Sequence, residues 1–308
     1  METRILDGKK IAEQIRSELC AEIAELNSKG IIPGLAVVLV GENPASQIYV
    51  RSKAKTCAEL GMHSESHELP ATTTTAELLD LIGRLNASDT IDGILIQLPL
   101  PAHMDADVIL RAVDPAKDVD GFHPVNVGLL SIGAFTLAPC TPMGIIEMLK
   151  REGIALKGAE AVIVGRSNIV GKPVAMLLLH QHATVTICHS RTRDLPAVCR
   201  RADILVAAIG KPAMITKEFI KPGATIIDVG TTKIQDRDLA LRLFGPDSAK
   251  FRTFEKQGSV LVGDVHPTDP LGLAGAVTPV PGGVGPLTII HLMKNTVMAC
   301  RSRKGILK

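Results

Sequence analysis

The strongest constraint on the fold is an alternation of short apolar runs with helical stretches. In the first half, LAVVLVG (35–41) and DGILIQLPLP (92–101) are apolar runs closed by glycine or proline, as is typical of buried parallel strands. Helical periodicity predicts helices over 9–29, 46–62 and 75–86. One more strand is predicted near 64–69. This alternation predicts an α/β layer with a mostly parallel sheet.

A second alternation follows in the other half of the chain. Its predicted buried strands lie at 161–164, 183–190, 203–210, 224–230 and 259–265. A chain of 308 residues is also too long for one ordinary core. We therefore expect two α/β domains.

Three segments depart from this pattern. Residues 112–142 have poor periodicity and many Gly, Pro and Asp residues, which predicts a long loop that is both functional and a domain crossing. Residues 233–258 are strongly mixed in charge and are predicted to be an exposed insertion, dispensable for chemistry. The chain ends with a glycine loop, PVPGGVGPL, and a closing helix that has Pro286 in its first turn.

Composition excludes several classes of partner. The net charge of +2 gives no reason to expect nucleic acid, whose phosphates need a concentrated basic surface. No apolar stretch reaches the ~20 residues of a membrane span, and the charged start predicts no signal peptide. The six cysteines are scattered without metal-ligand spacing, so we expect reduced thiols, a cytoplasmic protein and no bound metal.

A glycine turn after the predicted strand 161–164 is a candidate phosphate site. Gly165 follows the strand directly, and Gly171 lies where the next helix begins. Such a junction offers free N–H groups and the positive end of a helix to a pyrophosphate. The spacing is GxxxxxG rather than the usual GxGxxG, and an ordinary strand–helix turn can carry two glycines equally well.

The end of the next strand favours NADP over NAD. An acid at this place holds the ribose 2′-hydroxyl of NAD, whereas arginine accommodates the 2′-phosphate of NADP. Here Ser190, Arg191 and Arg193 occupy the region and no carboxylate precedes them. Arg166 and Ser167, on the first turn, could reach the same place. The alternative, that the arginines are solvated loop residues, leaves the missing acid unexplained.

Three residues of the first half are candidates for chemistry. Tyr49 and Lys53 are four apart on a predicted helix, so they share a face. The ring could hold a flat substrate, and a lysine whose pKa is lowered by burial can act as an acid or base. An ordinary amphipathic helix with a snorkelling lysine is the alternative. Gln97 interrupts an apolar strand near its carboxyl end, where ligands bind in open sheets, although a structural amide is also compatible.

The segment KDVDGFHP carries two acids. Asp118 and Asp120 could chelate a metal or accept hydrogen bonds from an aminopyrimidine-like ring. Without a histidine at metal-ligand spacing the metal is the weaker alternative. His123 is predicted to be a structural loop residue rather than a catalyst.

The chain resembles the bifunctional methylenetetrahydrofolate dehydrogenase/cyclohydrolase family. Signature segments of that family lie in the expected order and cover most of the chain apart from roughly 231–275. They are YVRSK (49–53), GILIQLPLP (93–101), KDVDGFHPVNVG (117–128), PCTPMGIIEML (139–149), VGRSNIVGKP (164–173), ATVTICHSRT (183–192) and TPVPGGVGPLTI (278–289).

This resemblance implies two α/β domains that flank a folate cleft, the second a Rossmann-like NAD(P)-binding domain. Residues 1–139 with 287–308 would form the folate-binding catalytic domain, and 140–286 the NADP-binding domain, through which a homodimer would form. The implied activity is oxidation of 5,10-methylenetetrahydrofolate to 5,10-methenyltetrahydrofolate with NADP, followed by hydrolysis to 10-formyltetrahydrofolate.

The resemblance also implies roles for single residues. Lys53 would be the cyclohydrolase acid/base, Gln97 its hydrogen-bonding partner, and Tyr49 the ring that packs on the substrate's aminobenzoate. Asp120 would hold the pterin. The remaining implied contacts are Gly282 and Gly283 near substrate and cofactor, and Gly165, Arg166, Ser167, Ser190 and Thr231 at NADP.

Three departures from the family pattern lie on the cofactor side, one of them the stretch 233–258, which is longer than expected. Thr231-Thr232 stands where the family more often has Ile-Asn, and Gly-Asp-Val-His-Pro (263–267) replaces the usual Gly-Asp-Val-Asp. The alternatives are a dehydrogenase of this family without cyclohydrolase activity, a shikimate-type or amino-acid dehydrogenase, and a non-catalytic nucleotide sensor. The presence of Lys53 and Gln97 argues against the first of these.

Overall fold

The computed structural model describes residues 2–306, apart from the side chains of residues 44 and 45. The strands are β1 (Arg4–Ile5), β2 (Gly34–Val40), β3 (His63–Leu69), β4 (Gly93–Ile96), β5 (Glu160–Val164), β6 (Thr184–Cys188), β7 (Ile204–Ala207), β8 (Thr225–Asp228), β9 (Thr232–Ile234), β10 (Val260–Val262) and β11 (Ala276–Val277).

Helices connect most of these strands. They are α1 (Gly8–Ser28), α2 (Pro44–Leu60), α3 (Thr75–Ala87), α4 (Ala106–Ala112), α5 (Pro124–Ile132), α6 (Cys140–Arg151), α7 (Gly171–His180), α8 (Leu195–Cys199), α9 (Arg237–Phe244), α10 (Ala249–Gln257) and α11 (Val284–Arg303), with a short 3₁₀ helix at Lys217–Phe219. Among the described residues, no helix is both long and apolar enough to cross a membrane.

The chain divides into two compact units. The three-stranded unit comprises Ala12–Cys140 and the residues from Thr288 onward, and the six-stranded unit comprises Thr141–Leu287 and the residues up to Ile11. The predicted division places residues 1–139 in one domain. In the structure, residues 2–11 join the six-stranded unit, because β1 pairs in parallel with β11.

The three-stranded unit is built around a parallel sheet in the order β3-β2-β4. The central strand β2, GLAVVLV, is apolar throughout and buried at every position, as expected of a parallel strand covered on both faces. β4 ends at Ile96 and is shorter than the predicted run to residue 101, because Pro99 and Pro101 lack the N–H groups that a ladder requires.

The prediction of one long loop over 112–142 is wrong in part, because α5 lies within it. This helix begins with Pro124 after His123, whose side chain accepts a hydrogen bond from the Val125 N–H, and it ends at Gly133 in the left-handed conformation. The helix has only nine residues and few polar ones, so it shows no amphipathic period. His123 is thus a helix cap, which agrees with its prediction as a structural residue.

The six-stranded unit has an all-parallel sheet in the order β1-β11-β8-β7-β5-β6. The chain leaves β5 toward β6 on one side and returns to β7 on the other, so the strand order reverses at β5. In sheets of this kind, ligands bind beyond the carboxyl ends of the strands at such a point.

The segment 233–258, predicted to be an exposed insertion, is exposed at most of its residues but folds around a small core of its own. β9 pairs antiparallel with β10, and α9 and α10 fold over them around a small apolar cluster. The apolar residues of α9 and α10 recur at helical spacing, but the charged residues between them obscure this pattern in the sequence. The buried members of this cluster are Ile234, Ala240, Leu243, Phe251, Phe254, Val260 and Val262.

Candidate active site

Lys53 and Gln97 are in contact in the three-stranded unit. Lys53 lies on α2 and is only 8 % exposed, and Gln97 follows directly after β4. The Lys53 ammonium donates to Gln97 Oε1 at 2.9 Å, while Gln97 Nε2 donates to the Leu98 carbonyl at 2.8 Å. The amide is therefore fixed with its oxygen toward the lysine.

Burial shapes the electrostatics of this site. Desolvation lowers the pKa of Lys53, and the nearby Asp120 carboxylate partly opposes that change. The pKa of Asp120 is raised to about 6, chiefly by desolvation and against the attraction of Lys53. The site thus holds a lysine and a carboxyl whose proton affinities have moved toward each other, an arrangement suited to proton transfer near neutral pH.

The loop that carries Asp120 is held by its neighbours Lys117 and Asp118. The Lys117 ammonium is fully buried and donates to three carbonyls at the end of α3, those of Leu85, Asn86 and Ser88, at 3.0, 2.7 and 2.6 Å. The Asp118 carboxylate accepts from the His123 N–H and from Asn126 Nδ2, both at 2.8 Å. The Asp118 carboxylate is therefore engaged in hydrogen bonds to its own loop and helix. Asp120 is the acid that lies near Lys53.

Two residues beside Asp120 were missed by the sequence reasoning. The Cys140 thiol donates to the Val119 carbonyl at 3.3 Å and lies 3.9 Å from Asp120 Oδ1. Asn295, on α11, donates from Nδ2 to the carbonyls of Val119 and Ala138, both at 2.8 Å. Neither is distinguished by spacing or composition, because the Cys140 contacts join residues 20 and 21 positions apart and those of Asn295 join residues 157 and 176 positions apart.

Tyr49 lies on the same face of α2 as Lys53 and is 45 % exposed. Its ring is the one large aromatic surface of this helix that is open to solvent, since α2 contains no other aromatic residue. An exposed ring four residues from a buried lysine can pack on a flat ligand whose reactive part reaches that lysine.

The predicted cofactor residues all follow carboxyl ends of strands in the six-stranded unit. Gly165, Ser190 and Thr231 come after β5, β6 and β8 respectively, so they share one edge of the parallel sheet. Gly165 has φ +133°, and a Cβ there would lie 2.2 Å from the Ala208 carbonyl oxygen, so only glycine fits. Arg166 and Ser167 are exposed beside it.

The Ser167 side chain also organises this turn. Its Oγ accepts from the N–H groups of Val170 and Gly171, at 3.1 and 3.3 Å, at the beginning of α7. Gly171 has no room for a side chain, because a Cβ would lie 2.3 Å from the Gly165 carbonyl oxygen. The two glycines therefore serve a close approach of strand and helix, the geometry of a phosphate-binding turn.

A pair of buried aspartates at the same edge was missed by the sequence reasoning. Asp264 is fully buried and accepts from the N–H groups of Ile209, Gly210 and Lys211 at 2.5, 2.9 and 2.8 Å. Asp228, at the end of β8, has a pKa raised to about 7 by desolvation. The sequence signal for Asp264 is the segment Gly-Asp-Val-His-Pro, whose pattern alone does not predict a buried acid.

The glycine loop packs against the beginning of α1. Gly282 has φ +106°, and a Cβ on Gly8 would lie 1.7 Å from the Gly283 carbonyl oxygen. The Gly283 N–H donates to the Pro279 carbonyl at 2.8 Å. Among the described residues, no group of three or more His, Cys, Asp or Glu side chains is arranged to hold a metal ion.

Comparison with known proteins identifies the two halves of the chain. Residues 6–120 match the model of the tetrahydrofolate dehydrogenase/cyclohydrolase catalytic domain, and residues 139–304 match that of the corresponding NAD(P)-binding domain. The bifunctional protein FolD of Koribacter versatilis is 60 % identical over 301 residues, covering 98 % of each chain. That of Solibacter usitatus is 60 % identical over 303 residues, covering 98 % of this chain and 99 % of the relative.

Solved structures are similar to this chain in sequence and in fold. The FolD dehydrogenase/cyclohydrolase of Campylobacter jejuni is 43 % identical with a TM-score of 0.88 and covers 98 % of this chain and 99 % of its own. The Trypanosoma brucei enzyme, whose structure is complexed with NADP cofactor and an inhibitor, is 39 % identical with a TM-score of 0.89 over 99 % of both chains.

These matches confirm the predicted family, the α/β fold with an NAD(P)-binding domain, and an enzyme that combines a dehydrogenase and a cyclohydrolase activity. They also confirm the predicted nicotinamide cofactor. The chain belongs to the tetrahydrofolate dehydrogenase/cyclohydrolase family.

Proposed function

We propose that this enzyme oxidises 5,10-methylenetetrahydrofolate with NADP and then hydrolyses the methenyl product to 10-formyltetrahydrofolate, using Lys53 as the acid/base of the second step. The observation that carries the proposal is the contact of the buried Lys53 ammonium with Gln97 Oε1 at 2.9 Å, beside Asp120. Incubation of the protein with methylenetetrahydrofolate and NADP, with the methenyl and formyl products followed separately, tests both steps.

The oxidation requires mainly that substrate and cofactor be oriented. NADP supplies the acceptor for a hydride from the methylene carbon, and the two flanking nitrogens of the folate stabilise the resulting cation. Little acid–base chemistry is then required of the protein, since correct placement of the reacting atoms supplies much of the rate. Asp120 would hold the pterin and Tyr49 would pack on the aminobenzoate ring, which fits the half-buried position of the first and the exposure of the second.

The hydrolysis requires proton movement. Water adds to the methenyl carbon as a proton passes to the neutral Lys53 amine, and the lysine returns a proton to N5 as the bond from the carbon to N5 breaks. One proton is released overall, as the balance of cation and water to formyl product demands. The lowered pKa of Lys53 favours the neutral amine, and Gln97 Oε1 holds it in place.

Cofactor binding is assigned to the carboxyl edge of the six-stranded sheet. Gly165 and Ser167 would receive the pyrophosphate at the beginning of α7, and Thr231 would lie at the nicotinamide end. Arg166 and Ser190, both exposed at this edge, would bind the 2′-phosphate, which favours NADP over NAD. The glycine loop at Gly282 and Gly283 would lie near both ligands.

We further propose that the protein forms a homodimer through the six-stranded unit. β6 is an edge strand of the sheet, and it exposes Ile187, while Leu179 on the preceding helix is 50 % exposed. Apolar side chains beside an open strand edge favour association with a second copy. Light scattering of the purified protein, with an Ile187→Lys variant expected to be monomeric, tests this assembly.

A cytoplasmic location is also proposed. All six cysteines are free, and five of them are buried as thiols. This pattern is typical of proteins in a reducing compartment. Fractionation of the source cells, with the protein followed by activity, tests the location.

A further inference from the structure

One side chain of the segment between β9 and β10 contacts the residues that directly precede the glycine loop. The ammonium of Lys250, near the beginning of α10, donates to the carbonyl of Val280, two residues before Gly282. The same ammonium lies 5.1 Å from the centre of the Phe244 ring, on α9. Both helices of the segment thus contribute to this contact.

The surroundings of Lys250 make the contact strong. Burial lowers the pKa of its ammonium, and the Asp228 carboxylate opposes that change. A partly desolvated cation loses more when its acceptor is removed than one in water does, because fewer water molecules replace the hydrogen bond. The segment 278–281 is therefore held from the side of α10.

Other contacts fix the two ends of this stretch. The Thr278 hydroxyl accepts from the Asp228 N–H at 2.8 Å, and Gly283 packs against Gly8. A cavity of about 430 Å³, lined by Asp228, Lys250 and Val280 among others, lies beside the contact. The stretch would have room to move if the lysine were removed.

We propose that Lys250 is a positioning residue for the glycine loop, so that the segment 233–258 serves the reaction instead of being dispensable for it. The proposal rests on the assignment of Gly282 and Gly283 to substrate and cofactor binding. A loop held in place binds its ligand without an ordering cost, whereas a loop that is competent for only a tenth of the time raises the apparent dissociation constant about tenfold. The turnover of the bound complex is affected much less.

The experiment compares Lys250→Met with Lys250→Arg and with Lys256→Met, a matched control at an exposed lysine of the same helix. KM and kcat are measured for both activities, and amide hydrogen exchange is followed at Gly282 and Gly283. We expect Lys250→Met to raise KM about tenfold with kcat within about threefold, and to speed exchange in the loop. The arginine variant should restore KM, and the control should match the wild type.

Two results would overturn the proposal. One is an unchanged KM and unchanged loop exchange in Lys250→Met. The other is an equal loss in the methionine and arginine variants, with kcat falling and the melting temperature lowered, which would mean a general packing role. If Lys250→Met does not fold, Lys250→Gln decides, because its shorter side chain cannot reach Val280, and an unchanged KM there rejects the proposal.

If the proposed function itself is wrong, the experiments give a different set of results. If the assigned chemistry is wrong, the wild-type protein forms no methenyl or formyl product, or Lys53→Met retains the cyclohydrolase. If only the role of Lys250 is wrong, the wild type and Lys53→Met behave as proposed while Lys250→Met binds substrate normally.

Discussion

Gly263 approaches Asp228 so closely that a Cβ atom on residue 263 would lie 1.8 Å from Asp228 Oδ2. The same carboxylate accepts from the N–H groups of Gly230, Asp264 and Val265, at 3.0, 2.8 and 3.0 Å. It ties the end of β8 to the segment that follows β10. The glycine is therefore required by the position of an acid 35 residues away in the sequence.

Gly263→Ala should destabilise the protein by about 3 kcal/mol, because the added methyl group must displace a buried, hydrogen-bonded carboxylate. Gly83→Ala is the control, since that helical position has open space for a Cβ atom and the change should be neutral or stabilising by up to about 1 kcal/mol. Urea denaturation of both variants checks the difference. Equal stabilities would mean that the Asp228 contact relaxes without cost.

Asp228 should also make stability depend on pH. Its pKa is raised from 3.8 to about 7 by desolvation, so between these values the native state binds more protons than the unfolded state. The stabilisation by its neutral form is complete below pH 3.8 and is lost as pH rises to about 7. Asp228→Asn should flatten the fall in unfolding free energy between pH 5 and 7, by about 1 kcal/mol per pH unit. Parallel slopes for variant and wild type would contradict this.

Local sequence patterns predicted the strands and helices well where burial is continuous. The apolar runs at β2, β5 and β7 are covered on both faces, so their composition alone marks them. The small core within the segment 233–258 was not predicted, because its buried phenylalanines are separated by charged residues in the sequence. Charge density in a sequence does not reveal which face of a short helix is covered.

The candidate site was predictable only where a motif carried it. Lys53 and Gln97 lie 44 positions apart, and their contact follows from α2 and β4 meeting in one unit, which spacing alone cannot give. Asn295 and Asp264 act through backbone groups of distant loops, so the sequence does not show which groups they bind. Such contacts become visible only when the tertiary fold brings the segments together.

Arg166→Ala should weaken the binding of NADP more than that of NAD, because only NADP offers a 2′-phosphate to the guanidinium. Loss of one charge-assisted hydrogen bond predicts about a tenfold or larger increase in the dissociation constant of NADP, with NAD changed less than about twofold. Lys157→Ala, an exposed lysine before β5 at the opposite edge of the sheet, is the control. Fluorescence titration with each nucleotide measures the ratio, and equal effects on both would reject the assignment.

Asp120→Asn should move the pH dependence of the cyclohydrolase to lower pH. The Asp120 carboxylate raises the pKa of Lys53 against the effect of burial, so its removal lowers that pKa further. A reaction that needs the neutral amine then reaches its full rate at lower pH. The kcat–pH profile of methenyl hydrolysis measures the shift, and kcat/KM should fall about tenfold or more with the loss of the pterin contact. A shift to higher pH would mean that the protonated lysine is the active form.

Lys53→Met should remove the cyclohydrolase activity while the dehydrogenase activity changes far less. The methionine keeps an apolar stem in the buried site but removes the ammonium that contacts Gln97. Hydride departure is driven by the substrate's own nitrogens, whereas hydrolysis needs proton transfer, which a positioned group typically accelerates by about 10²–10⁴. Methenyl product should therefore accumulate, and formyl product should form only at the rate of the reaction in solution.

Lys55→Met provides the matched control, since Lys55 is on the same helix with its side chain 76 % exposed. Spectrophotometry of the methenyl chromophore with NADP present measures both steps, and NADP affinity should stay unchanged because Lys53 lies in the three-stranded unit. If both activities fell by the same factor in a folded Lys53→Met protein, the lysine would only position the substrate. If hydrolysis continued at the wild-type rate, another group would have to move the proton.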